Sequence, residues 1–523
     1  MADLLALLDS VEMSPPLPGD EAAAAAATLD ALGGGSVYPS SIVAQNGALY
    51  FLANLAGERR LGILARAGHL PAGFTGGDER VSLAGQELAL RRCLPEHGNA
   101  VALRAALPFT APRLLGLVPS FGSGDRLGLA TPGHIRGVRG HACAPIFAQQ
   151  SIREMIRTRR TPEQVLDDAT WGVFQEGWRG GFGADADHLK TAADVDLCTA
   201  AGYTFYTIDP GEHVDNDADT DGTAALAAKV EALPWRELES SPRSLRAGYA
   251  GRTFSLEAGL SLTFSEEDFL RAAAKYGRAI AHTVGLYRRL VERLGAGAFE
   301  LEMSVDETAT PTSVAAHWFV ASELMRLGVR WVSLAPRFSG RFEKGVDYIG
   351  DLGAFERELV QHAAVARQFG NYRLSLHSGS DKFSIYPLFA RHTGGMMHLK
   401  TAGTSYLEAL RALARVEPGL FRVVLALARE RYLQDRASYH VSAELSRVSD
   451  PAGLRDSDLP ALLDDFHARQ VLHVTFGSVL TACDESGECH LRRAIYGALQ
   501  QHEAEHYQAL EAHMRRHVQA VGW

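Results

Sequence analysis

The chain has 523 residues, of which 46% are hydrophobic and 22% charged, so it can bury a large core and falls outside the disordered class. Its net charge of -10 and pI near 6.1 argue against a protein that binds nucleic acid by neutralising phosphates. Apolar runs are shorter than the roughly 20 residues that span a bilayer, so no membrane contact is expected. The five scattered cysteines do not describe a disulfide framework, which favours a cytoplasmic location.

The first part of the chain, residues 1–115, is predicted to form a small α+β region. An Ala-rich stretch at residues 20–36 ends in three glycines, which predicts a helix followed by a flexible stop. From Val37 to about Leu117, short apolar stretches alternate with Gly, Pro and Asp turns. This alternation is typical of a β-rich segment.

Residues 116–523 are predicted to form a (β/α)8 TIM-like barrel, because short β-type runs alternate there with helical periodicity. Two long segments, residues 212–298 and 404–470, are read as helical insertions after the third and seventh strands. An open doubly wound sheet is the alternative, but no Gly-rich dinucleotide turn follows any strand. The eight predicted strands begin at Arg126, Phe182, Tyr203, Phe299, Arg330, Tyr372, Met396 and Val471.

Side-chain alternation along these strands indicates which residues face the barrel lumen. Apolar residues of the Phe299 strand share one face, so Glu302 and the other polar residues of that strand face inward. The same alternation predicts that His377 faces inward on its strand, and that His398 and Lys400 face inward on theirs. Functional groups of such barrels gather where strands end, so these residues are predicted to form the site.

Glu302, His377 and His398 are predicted to bind a divalent metal ion. Buried carboxylates and imidazoles are costly unless they are paired or bound to a cation. A single histidine on a strand is more often a hydrogen-bonded core residue, but the convergence of three such groups favours metal. Mixed nitrogen and oxygen ligands suit Zn, Mn, Co or Ni better than Mg or Ca.

Long motifs between Phe299 and Leu410 resemble the tagaturonate epimerase family, also called tagaturonate/fructuronate 4-epimerases. The resemblance covers most of residues 115–500 and implies a divalent-metal enzyme of hexuronate catabolism. Its small-molecule partner would be a keto-hexuronate, D-tagaturonate or D-fructuronate, inverted at C4. The motifs are Glu302-Met-Ser-Val-Asp-Glu-Thr, Ala335-Pro-Arg-Phe-Ser-Gly-Arg, Leu376-His-Ser-Gly-Ser-Asp-Lys, His398-Leu-Lys-Thr-Ala-Gly-Thr and Gly124-Asp-Arg-Leu-Gly-Leu-Ala-Thr-Pro-Gly-His.

The implied reaction restricts the mechanism, because the C4 hydrogen is alpha to no carbonyl group. A transient oxidation would need a nicotinamide, which the missing dinucleotide fingerprint disfavours. Retro-aldol cleavage and re-addition across C3–C4 remains, and it needs a Lewis acid and proton-transfer groups. Asp187 and Asp209 are the candidate acid/base pair, or else structural carboxylates. Lys400 is the candidate for stabilising the developing oxyanion, or else part of a salt bridge.

The substrate carboxylate requires a cation, and Arg126, Arg337 and Lys382 lie in predicted strand-end loops together with Asp125 and Ser378. Two other functions remain open. A metal-dependent isomerase would move a proton between C1 and C2 of a related keto-sugar. A sugar-binding barrel without catalysis would carry aromatic stacking platforms at the strand ends. A homo-oligomer is left open as the state of assembly.

Overall fold

The computed structural model describes residues 4–33, 35–55 and 57–523. Its strands, in chain order, are β1 Ser36–Val37, β2 Val43–Gln45, β3 Ala48–Leu55, β4 Glu58–Arg66, β5 Gly76–Leu83, β6 Gln86–Cys93, β7 Ser120–Ser123, β8 Ala144–Ser151, β9 Gly183–Leu189, β10 Phe205–Ile208, β11 Thr253–Ser255, β12 Ser261–Thr263, β13 Glu300–Val305, β14 Ser333–Pro336, β15 Arg373–Leu376 and β16 Met397–Thr401.

The α-helices surround these strands. They are α1 Leu4–Leu8, α2 Gly19–Gly33, α3 His97–Ala106, α4 Thr131–Val138, α5 Ile152–Thr158, α6 Pro162–Gln175, α7 Ala192–Ala201, α8 Thr223–Glu231, α9 Pro242–Tyr249, α10 Glu266–Leu294, α11 Val314–Arg326, α12 Leu352–Gln368, α13 Tyr386–Thr393, α14 Thr404–Val416, α15 Pro418–Asp435, α16 Phe466–Val474, α17 Phe476–Leu480, α18 His490–Gln501 and α19 Glu503–Val521. No helix among the described residues is long and apolar enough to cross a membrane.

The N-terminal region is an antiparallel sheet of six strands in the order β1-β3-β4-β6-β5, with β2 paired to β3. One face packs on α1 and α2, which confirms the helix predicted in the Ala-rich stretch. The other face packs on α3 and on Trp171 and Phe174 of α6. Gly34, in the predicted glycine stop, lies outside the described residues. The domain boundary at residue 115 stays a prediction.

The centre of the molecule is a closed barrel of eight parallel strands in the order β7-β8-β9-β10-β13-β14-β15-β16, with β16 paired back to β7. This confirms the predicted (β/α)8 fold. Apolar side chains on the outer face of the strands pack on the surrounding helices. Polar side chains are left facing the lumen, and parallel strands place their ends at one rim.

Two predicted strands are wrong, and two barrel strands, β7 and β8, were not predicted. The run beginning at Arg126 lies in the loop after β7 (Ser120–Ser123), and no run was predicted at β8 (Ala144–Ser151). The run beginning at Val471 falls within α16, whose N-terminus is capped by the Asp465 carboxylate. Its apolar residues are compatible with the periodicity of a strand or of a helix. In the structure they pack as a helix against the neighbouring helices. The two insertions therefore follow the fourth and eighth barrel strands.

The cysteines differ in part from the expectation. Cys483 and Cys489 are joined by a disulfide that closes a short surface loop, whereas Cys93, Cys143 and Cys198 are free. Burial raises the pKa of the Cys93 thiol to about 11 and that of the Cys198 thiol to about 12. These two thiols act as packing residues, since a reactive cysteine needs an accessible thiolate.

Candidate active site

Polar residues from four strands meet at the rim formed by the strand ends. Asp187 comes from β9, Glu302 from β13, His377 from the end of β15 and Lys400 from β16. All four side chains are buried. A cavity of about 410 Å³ opens beside them, and a smaller one of about 40 Å³ lies directly against Asp187 and Lys400.

Lys400 is the centre of an ion-pair network inside the rim. Its ammonium Nζ lies 2.9 Å from a carboxylate oxygen of Asp185, 2.6 Å from one of Asp187 and 3.4 Å from one of Glu302. It also donates a hydrogen bond of 2.9 Å to the Thr207 hydroxyl. Burial opposes the charge, but the surrounding carboxylates raise the pKa of Lys400. The lysine is therefore a fixed positive charge.

His377 lies between two carboxylates. Its Nε2 donates to Glu302 Oε1 at 2.6 Å, and its Nδ1 is 3.2 Å from Asp306 Oδ1. The second oxygen of Glu302 accepts a 2.5 Å hydrogen bond from the Ser333 hydroxyl. Burial of Glu302 is outweighed by Lys400 and His377, which hold the pKa of its carboxyl well below the usual value. Glu302 is therefore an ionised carboxylate that orients the ring.

His188 repeats this arrangement on the other side of the rim. Its Nδ1 donates to Asp187 Oδ1 at 2.5 Å, and its Nε2 is 3.9 Å from Asp306 Oδ1. Burial opposes protonation, but Asp187 raises the pKa of His188 to about 10. The rings of His188 and His377 are 5.0 Å apart. Sequence reasoning did not identify His188 as a site residue.

His188, Asp306 and His377 could hold a metal ion, because one ligand atom from each lies within 4.8 Å of the others. Two imidazoles and one carboxylate are a common ligand set for divalent transition metals. The second nitrogen of each ring faces a carboxylate, Asp187 or Glu302. Metal-binding histidines typically have such a partner, which fixes the orientation of the ring. The donor set therefore fits a divalent cation.

The predicted ligands Glu302, His377 and His398 are not brought together as one compact group. His398 lies deeper in the barrel, where its Nδ1 is 2.9 Å from the Ser120 hydroxyl and its ring packs on Phe205. Its Nε2 has no hydrogen-bond partner among the described residues. Burial lowers the pKa of His398 to about 3, so the ring is neutral. The alternation of side chains along a strand correctly indicates that His398 faces the lumen, but it does not show how deep in the barrel the residue lies.

The two predicted acid/base carboxylates are also separated. Asp187 contacts Lys400 and lines the smaller cavity. Asp209 Oδ1 accepts a hydrogen bond of 2.9 Å from the Gly211 backbone, and its Oδ2 is 3.6 Å from Lys190. Asp209 therefore stabilises the turn after β10 and does not contact the Lys400 network.

Three predicted substrate-binding residues have other partners. Arg126 donates twice to Glu154, at 2.7 and 3.0 Å, and stacks on a phenylalanine ring. The Asp125 carboxylate accepts three backbone hydrogen bonds from the loop that follows it. The Lys382 ammonium donates to three backbone carbonyls and is fully buried. These contacts argue against substrate binding by Asp125 and Lys382, and they leave Arg126 as a buried wall residue.

Arg337 and Ser378 do line the cavity of 410 Å³. The guanidinium of Arg337 has no ion pair or hydrogen bond within the described ranges, so its donors are available. Ser378 accepts a hydrogen bond of 2.7 Å from Lys344. Arg153, paired with Glu307 at 3.3 Å, is a further cation on the wall. The cavity can therefore receive a small anionic molecule.

A closed (β/α)8 barrel with a buried histidine, carboxylate and lysine cluster beside a cation-lined cavity defines an enzyme of the barrel class. The family model described as tagaturonate epimerase matches residues 38–521. The chain therefore belongs to the tagaturonate epimerase family, whose members are isomerases. This confirms the resemblance of the motifs.

Individual relatives agree with this assignment. The chain is 46% identical over 426 residues to the tagaturonate/fructuronate epimerase of Thermotoga maritima, covering 82% of this chain and 85% of that one. Crystal structures of the fructuronate-tagaturonate epimerase UxaE from Cohnella laeviribosi superpose well. The form with one glycerol and the native form give TM-scores of 0.88 and 0.87 at 38% identity, and both cover 96% of this chain and 100% of theirs.

Proposed function

We propose that this chain interconverts D-tagaturonate and D-fructuronate by inverting C4, with a divalent metal ion and retro-aldol chemistry. The family and its relatives support the substrate. The observation that carries the metal is the group His188, Asp306 and His377, in which each imidazole is backed by a carboxylate.

The charge balance at the rim supports a cation. Asp185, Asp187 and Glu302 surround the Lys400 ammonium group, and a fourth carboxylate, Asp306, contacts His377. Buried charges of one sign are costly unless a counter-charge compensates them. Burial raises the pKa of Asp185 to about 6. The ammonium group of Lys400 opposes this rise, and the carboxylates of Asp187 and Glu302 add to it. Metal-bound imidazoles are neutral, so with an ion at His188 and His377 the four carboxylates would exceed the single charge of Lys400.

A bound Zn, Mn, Co or Ni ion would supply a Lewis acid for the negative charge that develops on the C2 oxygen during cleavage. Such an ion would be held by His188, Asp306 and His377. Glu302 would orient His377 and keep the proton on its Nε2. No nicotinamide is needed for this route.

The reacting bond is C3–C4. The Asp187 carboxylate accepts the proton of the C4 hydroxyl, the C3–C4 bond breaks, and its electron pair moves into the C2–C3 enediolate while C4 becomes an aldehyde. The aldehyde turns over and the enediolate attacks its other face. Returning the proton to the new C4 oxygen completes the inversion. Lys400, 2.6 Å from Asp187, fixes this carboxylate in place.

The cavity wall accounts for recognition of the substrate carboxylate. Arg337 has free donors, and a guanidinium can bind a carboxylate through two parallel hydrogen bonds. Ser378 and its donor Lys344 lie on the same cavity. We assign the C6 carboxylate to Arg337 and a substrate hydroxyl to Ser378.

The test is conversion of tagaturonate by metal-loaded protein in D2O, followed by NMR. Fructuronate should form without deuterium on its carbon atoms, because C3–C4 cleavage breaks no C–H bond. A metal-dependent isomerase that moves a C1/C2 proton is the second candidate, and it would introduce deuterium on carbon. Absence of fructuronate with fully loaded protein would refute the proposed substrate. Full activity after removal of all metal would refute the metal ion.

A further inference from the structure

A second cavity, here called the outer cavity, lies outside the barrel and has a volume of about 680 Å³. It lies between α14, α16 and α19, beside the loop that follows β15. It has no lining residue in common with the two catalytic cavities. Its charged lining includes Arg415 of α14, Arg469 of α16 and His513 and Arg516 of α19.

The acidic residues of the outer cavity already have partners. Each carboxylate forms a close hydrogen bond or ion pair with a neighbouring side chain, and in three of the four that side chain is an arginine. The pairs are Asp381 with Arg469 at 2.6 Å, Glu408 with Arg411 at 2.7 Å, Asp464 with Arg411 at 2.9 Å and Asp347 with Ser384 at 2.9 Å.

Two arginine side chains and one imidazole nitrogen of the outer cavity have no such partner. Arg415 and Arg516 make no hydrogen bond or ion pair with any described residue. Arg516 lies over the Phe383 ring at 3.9 Å, which orients its guanidinium plane. The Nε2 of His513 is buried without a hydrogen-bond partner in the part of the chain that the structure describes, and this residue is only 8% exposed.

A metal ion fits this cavity poorly, although one ligand atom each of Asp381, His513 and His517 lies close together. His517 uses both ring nitrogens, because Nδ1 donates to the His513 carbonyl and Nε2 accepts from the Asp381 backbone. Asp381 is neutralised by Arg469. The remaining unpaired charged groups are the guanidinium groups of Arg415 and Arg516, so an anion fits better.

We propose that the outer cavity binds a small organic anion, whose carboxylate or phosphate group is held by Arg415, Arg516 and His513. Two guanidinium groups are the donors that such groups require, and the imidazole adds a third donor when its Nε2 carries the proton. The volume exceeds what one phosphate group fills and lies in the range of small-molecule sites. The cavity therefore has room for an organic body beside the anionic group.

The test is calorimetric titration of the full chain with inorganic phosphate, glucose 6-phosphate and D-galacturonate. Glucose 6-phosphate or D-galacturonate should bind, and the double variant Arg415→Gln/Arg516→Gln should bind it at least about tenfold more weakly, since one charge-assisted hydrogen bond contributes on the order of tenfold. Binding of glucose 6-phosphate identifies phosphate as the recognised group, and binding of D-galacturonate identifies carboxylate. His513→Gln should weaken the same probe.

Two controls make the result decisive. The double variant Arg80→Gln/Arg493→Gln loses the same charge from exposed sites, and it should bind like the unchanged chain. Arg337→Gln removes the cation of the catalytic cavity and should leave this binding intact. The proposal is overturned if neither organic probe binds below about 10 mM, a weak affinity by any standard. It is also overturned if the double variant at Arg415 and Arg516 binds normally, or if Arg337→Gln alone abolishes binding.

Discussion

Replacing Glu302 by Gln and Asp306 by Asn should affect metal binding to different extents. The sequence pattern makes Glu302 a metal ligand, whereas in the structure it contacts His377 Nε2 at 2.6 Å from behind the group His188, Asp306 and His377. Both substitutions remove one negative charge and keep the size of the side chain. A difference in metal affinity between the two variants therefore shows which of the two carboxylates contacts the metal directly.

The expected magnitudes follow from these positions. Loss of a carboxylate behind a metal-binding histidine typically costs about 10- to 100-fold in metal affinity, or about 1.4 to 2.7 kcal/mol. Glu302→Gln should fall in this range, because the amide that replaces the carboxylate can still contact His377 and Ser333. Asp306→Asn replaces a charged ligand carboxylate by a neutral amide, a much weaker metal ligand, and should cost more than about 100-fold, as should His188→Ala and His377→Ala.

The measurement is metal affinity by competition with a chromophoric chelator, together with metal content after dialysis. Circular dichroism verifies that each variant is folded, and Glu356→Gln, a surface carboxylate on α12, serves as the matched control. If Glu302→Gln loses metal as completely as Asp306→Asn, then Glu302 is a ligand after all. If Asp306→Asn keeps the metal content of the unchanged chain, the group identified at the rim is not the metal site.

Four other substitutions test the remaining assignments. Arg337→Gln should raise KM for the hexuronate about tenfold or more with little change in kcat, because its guanidinium binds a carboxylate that does not react; an unchanged KM would contradict this role. Asp187→Asn should lower kcat by about 10²- to 10⁴-fold, whereas Asp209→Asn should keep kcat within about tenfold of the unchanged chain. Equal losses of kcat in both variants would refute the different roles assigned to these two carboxylates. Lys382→Met should reduce the free energy of unfolding in urea by at least about 2 kcal/mol, because three buried carbonyls lose their donor, and an unchanged midpoint would refute a structural role.

Much of the site was predictable because alternation along a strand is a strict geometric rule. Glu302 and Lys400, both predicted to face the lumen, and Asp187, a predicted acid/base residue, lie on different strands. The register of β16 with β7 and of β13 with β10 places these residues at similar heights along the barrel axis. Glu302 lies directly opposite Thr207 in this register, and Lys400 bonds to both. The ion pair considered for Lys400 from sequence is present in the structure.

The long cationic side chains were harder to assign, because their contacts depend on distant segments. Arg126 reaches the carbonyl of His473, and Lys382 reaches those of Glu343 and Val346. A lysine or arginine in a strand-end loop has the same sequence signature whether it binds substrate or ties two loops together. Only the positions of the acceptors distinguish these roles, and alternation carries no information about them.

His188 was missed for a different reason, since it violates the alternation on which the prediction rests. The pairing of β9 with β10 shifts register between Tyr206 and Ile208, and His188 has a φ of +55°. An irregularity of this kind re-aims the side chains beside it. As a result Asp187 and His188, which are consecutive in sequence, both reach the site, and the carboxylate of one binds the imidazole of the other at 2.5 Å. A non-glycine residue in the left-handed region costs about 1 kcal/mol or more, and such strain persists only where the surrounding structure enforces it. The contacts of His188 with Asp187 and with the His377 ring supply that constraint, so the irregularity in β9 is the local feature that completes the candidate metal group.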